Sequence, residues 1–509
     1  MFLAYLPVFT PYVYHDEYWF FLRPEGQFVW NPMSFSSLLK GRPGSSLLFT
    51  LHGLLVNDIF DLIWLRMIAW GQVVLAAYLC LPWWDRMTGR RDHSILLSIL
   101  IFTLPPFMVQ ISWMGCCPHP TAVLLAIAAA NFAARIVGQG VRSFLSINAL
   151  TAGALFLAAN LIYPSAAVFY WVLVFVLLIE AYQRHLWQCA QDIFIPVGIG
   201  LFVYGVYAGI LKTIGWYAGI HGFSGLLPSI YDPQAGTLDL VQRLSWFFQE
   251  PLLNALNLWK IFPGSILPAV LTFLLTAAAG RYIIIASDER RGRAPHAASF
   301  LVLSLAVVIL MLLSFLPNLA APAEIAFYRC LVGLSPLILL AVYLLLKNNW
   351  IIKKRAFLLT GFLILFVAMV IPLVCVNLFF YRTLPSLTET MYLSSLLDVR
   401  PFSVSEHIHY QKILPDDRGA RYDEFGTYSL NFSDDVIQIA ICHYRESMPR
   451  KIYAGIQFSD QCQWEDCRWL TGYWLNQSRE HLFEKSILLT EGGPVPPTRI
   501  PTTVLSAPF

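Results

Sequence analysis

Residues 356–380 read AFLLTGFLILFVAMVIPLVCVNLFF and contain no charged side chain. A helix needs about 20 mainly apolar residues to cross the hydrocarbon core of a bilayer, so this stretch predicts a membrane-spanning helix. Similar apolar runs recur along the chain before it. They predict further spans over residues 62–84, 94–112, 119–137, 143–161, 163–183, 193–212, 261–281, 298–316 and 328–346.

The composition agrees with a polytopic membrane protein. Of the 509 residues, 57% are hydrophobic and only 13% are charged, whereas soluble domains carry about 25% charged residues. This excludes a disordered protein, a nucleic-acid binder and a soluble multidomain enzyme. Residues 1–14 are apolar and we interpret them as the outer part of a first helix. The predicted fold class is therefore mainly α, with about 11 transmembrane helices.

The basic residues predict an orientation, because cytoplasmic loops are enriched in Lys and Arg. Every second loop is basic, as in Arg86, Arg90 and Arg91, and in Lys347, Lys353, Lys354 and Arg355. The loops near 113–118 and 317–327 contain no Lys or Arg. The segments 15–61, 213–260 and 381–509 then fall outside. Residues 45–60 and 238–259 are predicted to form interfacial helices in the first two, the second broken near Pro251.

The composition changes at residue 381, which we take as a domain boundary. Residues 1–380 form the predicted transmembrane domain. Residues 381–509 are more charged and strand-like and predict a small extracytoplasmic α/β or mainly β domain. Cys442, Cys462 and Cys467 would allow one disulfide whose pairing the sequence leaves open. The nine cysteines include no CxxC pair, which argues against a zinc site.

Candidate catalytic residues follow the first apolar run, in Tyr14-His15-Asp16-Glu17-Tyr18-Trp19. One interpretation is a polar cap within an aromatic belt at the membrane surface. The other is a general base or an acidic pair, since a carboxylate in a partly desolvated cleft can accept a proton from a sugar hydroxyl.

Two arginines stand out because the predicted outer loops contain few cations. Arg42 lies in Lys40-Gly41-Arg42-Pro43, and Arg329 opens a late span. Arginine binds phosphate through two parallel hydrogen bonds. The alternatives are an exposed loop residue for Arg42 and a pair with Glu324 for Arg329. His15, His119 and Tyr163 are candidate sugar or acceptor contacts, and packing or turn roles compete with each.

Together these features resemble the GT-C superfamily of polytopic glycosyltransferases. The likeness is to the serotype-converting O-antigen glucosyltransferase family. An acidic pair in the first outer loop, here Asp16-Glu17, is followed in that family by a Gly-Arg-Pro stretch, here Gly41-Arg42-Pro43. Arg329, which opens a late span, is also similar. The resemblance covers roughly residues 1–380.

The resemblance implies sugar transfer, with inversion, from a polyprenyl-phosphate donor to a cell-surface glycan or lipid-linked acceptor. Asp16 would be the base, Glu17 would assist or orient the acceptor, and Arg42 and Arg329 would bind the donor phosphate. A divalent cation, Mg or Mn, on Asp16 and Glu17 is left open. The implied setting is the bacterial inner membrane, with membrane lipids, a donor synthase and a flippase as partners and no nucleic acid.

Two other functions remain open. A transporter or flippase of lipid-linked glycans would favour internal repeats, broken helices and charges near the membrane midplane, whereas the notable charges here lie at the outer ends. A glycan polymerase or ligase would favour a large central outer loop, and residues 213–260 form a modest one.

Overall fold

A computed structural model gives the fold of this chain. It describes residues 1–12, 17, 34, 37–38, 40–56, 60–139, 141–184, 186–220, 240–256, 258, 297–321, 327–348, 356–383, 407–412, 470–477, 482–490 and 504–506. The chain divides into two compact units, one of residues 1–385 with 424–426 and one of the remaining residues. The described residues are mostly helical.

The first unit contains seventeen α-helices among its described residues. They are α1 (Phe2–Tyr5), α2 (Pro43–Gly53), α3 (Leu62–Leu79), α4 (Leu81–Thr88), α5 (Arg91–Ile101), α6 (Pro105–Ser112), α7 (His119–Ala134), α8 (Ile147–Ile162), α9 (Pro164–Ala167), α10 (Phe169–Arg184), α11 (Leu186–Ile220), α12 (Leu240–Gln249), α13 (Pro251–Leu256), α14 (Ala297–Leu313), α15 (Leu316–Leu319), α16 (Leu334–Asn348) and α17 (Ala356–Leu378). Short 3₁₀ turns cover Leu6–Phe9, Met114–Cys116, Val141–Leu145 and Tyr328–Cys330, and a π turn covers Phe379–Thr383.

Several helices have the length and apolar composition of membrane spans. Among the described residues these are Leu62–Thr88, Met114–Ala134, Pro164–Ala181, Ile193–Ile214 and Phe357–Leu378. A sixth span is formed if α5 and α6, which meet at a bend of 60°, are counted together. The predicted spans over 62–84, 119–137, 163–183, 193–212 and 356–380 thus correspond to long apolar helices, which supports a membrane-embedded protein.

Other predicted spans differ from the structure or lie outside it. The run 1–14 forms only α1 and a 3₁₀ turn, and α16 begins six residues after the predicted start at 328. The run 94–112 bends because Pro105 and Pro106 follow its first half: proline cannot continue a helix, and it favours an extended residue before it. The predicted span 261–281 lies outside the described residues. The break near Pro251 is found, between α12 and α13.

Small side chains bring α7 and α8 together. These helices pack against each other along their lengths, and small residues at such a contact let two backbones approach closely within a membrane. The alanines that are buried on them are Ala122, Ala126, Ala129, Ala130 and Ala133 on α7, and Ala149, Ala152 and Ala159 on α8.

Two basic segments, around residues 86–91 and Lys347, meet at one end of this unit. The Lys347 ammonium donates a hydrogen bond of 2.7 Å to the Met87 carbonyl. The His93 ring lies 3.0 Å from the Tyr343 hydroxyl and 2.9 Å from the Thr360 hydroxyl. The loop at residues 86–91 and the end of α16 at Lys347, both predicted to be cytoplasmic, therefore lie at the same end.

The loops predicted to be outer lie at the opposite end. Trp83 donates a hydrogen bond to Asn131 near the end of α7, while His119 begins that helix and stacks on Tyr163. Twelve residues of helix separate Asn131 from His119, about 18 Å along the axis. The basic loop at residues 86–91 and the neutral loop at 113–118 thus lie at opposite ends of α7.

The second unit contains a four-stranded sheet. Its strands are β1 (His407–Lys412), β2 (Leu470–Gln477), β3 (Leu482–Thr490) and β4 (Val504–Ser506), in the order β1-β2-β3-β4. β2 and β3 form an antiparallel pair from Thr471 opposite Leu488 to Gln477 opposite Leu482. Cys442, Cys462 and Cys467 lie outside the described residues.

The two ends of the bundle predict opposite membrane sides for two exposed residues. In a background without native cysteines, we expect Lys40→Cys and Arg90→Cys to react with a membrane-impermeant maleimide from opposite sides of sealed vesicles. Reaction of both cysteines from one side would contradict this arrangement.

Candidate functional site

A buried ion pair holds Glu17, the second residue of the predicted acidic pair. The Arg66 guanidinium donates a hydrogen bond of 2.7 Å to Glu17 Oε2, and both side chains are fully buried. The same guanidinium donates to the carbonyls of Thr10 and Tyr12, at 3.3 and 2.8 Å. It also lies 3.6 Å from the centroid of the Tyr12 ring. Arg66 therefore fastens Thr10, Tyr12 and Glu17 to α3.

The second oxygen of the Glu17 carboxylate is also engaged. Oε1 accepts a hydrogen bond of 2.7 Å from the Met114 amide, between α6 and α7, and the Tyr12 hydroxyl donates to the Ser112 carbonyl at 2.8 Å. Through Arg66 and Met114, Glu17 thus links α3 to the junction of α6 with α7. Its proposed roles in proton transfer or in assisting the base stay predictions, and His15 and Asp16 lie outside the described residues.

The surroundings of Glu17 do not suit a metal ligand. Both of its oxygens already accept hydrogen bonds, one of them from a cation. Among the described residues, no group of three His, Cys, Asp or Glu side chains is arranged to hold a metal ion. We therefore derive no chemistry here from a divalent cation on Glu17.

Three of the other sequence candidates meet at the predicted outer end. The rings of His119 and Tyr163 stack at a centroid distance of 3.5 Å and an angle of 16°. The Arg42 guanidinium lies over the same Tyr163 ring, 4.5 Å from its centroid. His119 begins α7, Tyr163 joins α8 to α9, and Arg42 immediately precedes α2. Residues far apart in the sequence thus form one cluster.

The Gly41-Arg42-Pro43-Gly44 sequence explains how Arg42 reaches this cluster. Gly41 has a φ of 70°, a left-handed conformation that glycine adopts without strain. Pro43 begins α2, a position that proline favours. A Cβ on Gly44 would lie only 2.7 Å from Ile162 Cγ1, so glycine allows α2 to touch the end of α8. The Ser45 hydroxyl donates to the Ile162 carbonyl at 2.6 Å.

The other end of α2 is held by His52. Its Nδ1 lies 2.9 Å from Cys117 Sγ, and both side chains are buried. Burial lowers the pKa of His52 to about 4, so the imidazole is neutral near pH 7. With Ser45 at one end and His52 at the other, α2 is fixed in place and Arg42 with it.

Arg329 approaches the cluster from another element. Its guanidinium lies 4.7 Å from the Trp113 ring and 4.9 Å from the Phe327 ring. The 3₁₀ turn that carries Arg329 packs against α6 and against α9, which directly follows Tyr163. Burial raises the pKa of the Tyr163 hydroxyl, so this group remains protonated and can donate a hydrogen bond. The cluster therefore combines two cations with a buried hydroxyl and an imidazole.

Several buried polar atoms of this region have no partner. His119 Nδ1 makes no hydrogen bond although the side chain is only 3% exposed. Asn160 Oδ1, three residues before Tyr163, and Asn318 Nδ2, whose Oδ1 accepts from Ser165, are also unpaired. A buried polar atom left unpaired costs about 1–3 kcal/mol, so these atoms lower the stability of this end of the bundle as it stands.

The sequence prediction missed two residues of this end. Arg66 lies within an apolar span, where an ionisable residue is costly and deserves a functional interpretation; that signal was present and was not used. Trp113, beneath Arg329, carried no signal that separates it from other aromatic residues. Glu324, offered as a partner of Arg329, lies outside the described residues.

Comparisons of this chain with models of protein families, with curated proteins and with solved structures find no match. Its function must therefore be argued from its own residues.

The buried ion pair predicts a distinctive pattern of stability. Glu17→Gln or Arg66→Met leaves one buried charge without its partner, which should reduce the free energy of unfolding by about 3–5 kcal/mol. The double variant should recover part of this loss because it removes both charges. Thermal unfolding in detergent measures the stability of the single and double variants.

The exposed Arg91, paired with Asp85 at the other end, provides the control, since Arg91→Met should change stability little. If the single variants and the unchanged protein had equal melting temperatures, the ion pair would not be stabilising this end of the bundle.

A matched pair of glycines tests the contact between α2 and α8. Gly44→Ala places a methyl group against Ile162, so it should lower the melting temperature. Gly71→Ala, on α3, meets nothing within 4 Å and should leave the protein as stable or slightly more stable, since alanine favours helix. Gly44→Ala melting at or above the unchanged protein would refute the contact.

Proposed function

We propose that this chain is a polytopic membrane glycosyltransferase that uses a polyprenyl-phosphate sugar as its donor. The observation that supports this most is the convergence of Arg42 and Arg329 on the His119–Tyr163 pair, at the end of the bundle opposite the basic loops. No ion pair among the described residues includes Arg42. Two guanidinium groups near the ends of apolar helices suit a phosphate attached to a lipid.

The resemblance to the GT-C superfamily adds the side of the membrane on which the proposed reaction takes place. In our proposal the bundle has about eleven spans in a bacterial inner membrane, with the basic loops in the cytoplasm. Residues 381–509 form an extracytoplasmic domain that helps to select a cell-surface glycan or a lipid-linked acceptor. The donor, made in the cytoplasm, reaches the outer face through a flippase.

The proposed reaction is a single displacement. The hydroxyl oxygen of the acceptor bonds to the anomeric carbon while the bond from that carbon to the phosphate oxygen breaks. The electron pair of the broken bond stays on the phosphate, and the acceptor proton passes to the Asp16 carboxylate. The products are the glycosylated acceptor, inverted at the anomeric carbon, and polyprenyl phosphate.

Each residue then has a defined task. Arg42 and Arg329 stabilise the charge that develops on the phosphate, an electrostatic effect that is strongest in a water-poor site. The Tyr163 hydroxyl and His119 Nδ1 contact the phosphate or the sugar. Glu17 acts through position: its pair with Arg66 holds the residue that follows the base in the chain.

One observation favours the transporter alternative, namely the bend between α5 and α6, because transport sites often lie at broken helices. The two functions predict different products. A transporter leaves the donor lipid intact, whereas a transferase releases free polyprenyl phosphate.

The test measures release of polyprenyl phosphate and transfer of labelled sugar, using glucose, galactose and mannose donors and envelope glycan as acceptor. Arg42→Ala should lower kcat/KM by about 10²–10³-fold, as loss of one charge-stabilising donor does. Asp16→Asn should abolish transfer.

Arg86→Ala is the matched control, since Arg86 also lies over an aromatic ring, Trp83, but at the other end. Full activity of Asp16→Asn would exclude it as the base. Full activity of Arg42→Ala would refute the phosphate site.

A further inference from the structure

The guanidinium of Arg329 contacts two aromatic rings. Its Cζ lies 4.7 Å from the centroid of the Trp113 ring and 4.9 Å from that of the Phe327 ring. A cation within about 6 Å of a ring centroid is attracted to the face of the ring. Because a guanidinium is flat and has five donors, it can contact an aromatic ring and also bind a phosphate through two parallel hydrogen bonds. The two ring contacts are therefore compatible with a phosphate on Arg329.

Backbone hydrogen bonds hold the residues that bear these rings. Trp113 directly follows α6, and its amide donates to the Val109 carbonyl at 3.0 Å. The Trp113 carbonyl accepts a hydrogen bond of 2.8 Å from the Cys116 amide. Phe327 directly precedes the 3₁₀ turn, and its carbonyl accepts a hydrogen bond of 2.9 Å from the Cys330 amide. Each ring thus extends from a fixed point of the backbone.

The two contacts differ in what they connect. Phe327 is two residues from Arg329, so that contact is local. Trp113 belongs to a different element, against which the turn of Arg329 packs, so this contact sets the position of the guanidinium relative to α6. The side chains of Arg329 and Trp113 are both half-buried. An arginine side chain has many rotamers, and ordering them at the moment of binding costs free energy. A ring that already limits them lowers this cost.

We propose that Trp113 is a positioning residue, which holds the Arg329 guanidinium where it meets the phosphate of the donor. This inference rests on the proposed function, in which Arg329 binds that phosphate. Trp113 acts only through Arg329. Loss of its ring leaves the charge of Arg329 present but displaced, and a displacement of about 1 Å in an active site can cost about 10²-fold in rate.

The experiment is a double-mutant cycle on sugar transfer from the same three donors. Arg329→Ala should lower kcat/KM by about 10²–10³-fold, and Trp113→Leu by about 10- to 100-fold. The double variant should be no slower than Arg329→Ala alone, because Trp113 then has no guanidinium to position. If the loss in the double variant equals the product of the two single losses, Trp113 acts independently of Arg329 and the inference is overturned.

Trp113→Phe keeps an aromatic ring and should retain most of the activity that Trp113→Leu loses. Equal losses in both would overturn the inference, since they would show that the ring does not matter. Trp113→Met allows the same cycle if Trp113→Leu does not fold.

Phe132→Leu is the matched control. Phe132 is half-buried, and the Arg135 guanidinium lies 4.7 Å from its ring centroid, the same distance as between Arg329 and Trp113. This pair lies at the end of α7 where Trp83 meets Asn131. Phe132→Leu should leave kcat/KM unchanged. A loss as large as that in Trp113→Leu would count against a specific role of Trp113.

The proposed function and this inference fail in different ways. If the unchanged protein transfers none of the sugars, the proposed function is contradicted and the inference falls with it. If Arg329→Ala keeps full activity, the phosphate role of Arg329 is refuted, and the role of Trp113 with it. If Arg329→Ala is impaired but Trp113→Leu is fully active, only the inference is overturned.

Discussion

The buried pair of Arg66 and Glu17 is the constraint on which the end of the bundle opposite the basic loop 86–91 depends. Two opposite charges that are both removed from solvent remain there only if each finds enough partners. Arg66 contacts Glu17, two backbone carbonyls and the Tyr12 ring, and of its guanidinium nitrogens only Nε makes no hydrogen bond. Glu17 accepts from Arg66 and from the Met114 amide. As a result, Thr10, Tyr12 and Glu17 share one network with α3 and the junction of α6 with α7.

A second set of contacts fixes the cations of the proposed phosphate site. The close approach of Gly44 to Ile162 and the hydrogen bond of Ser45 bring α2 against α8. This places Arg42 over Tyr163, which stacks on His119. The backbone conformation at Gly41 and the packing at Gly44 thus determine where the Arg42 guanidinium lies. The site is rigid because its residues belong to helix ends held by neighbouring helices.

Sequence patterns predicted a large part of this arrangement. Apolar runs gave the long helices, since span length is dictated by the bilayer, and alternating basic loops matched the two ends of the bundle. The scarcity of charge identified Arg42 and Arg329, and His119 and Tyr163 lie close to both. The bend at Pro105 was missed because a continuous apolar run was weighted above its two prolines.

The sequence could not show which distant residues contact each other. Glu17 was interpreted as an assistant to the base because it adjoins Asp16, and nothing local indicates that a cation forty-nine positions later neutralises it. A tertiary contact between distant positions decides this case.

The most direct test of the account is a cryo-electron microscopy structure in lipid nanodiscs with a non-hydrolysable polyprenyl-phosphonate sugar. We expect density for the phosphonate between the guanidinium groups of Arg42 and Arg329, within hydrogen-bond distance of at least one of them. Phosphonate density at the basic end, or none near Arg42 with the lipid bound elsewhere, would contradict the account.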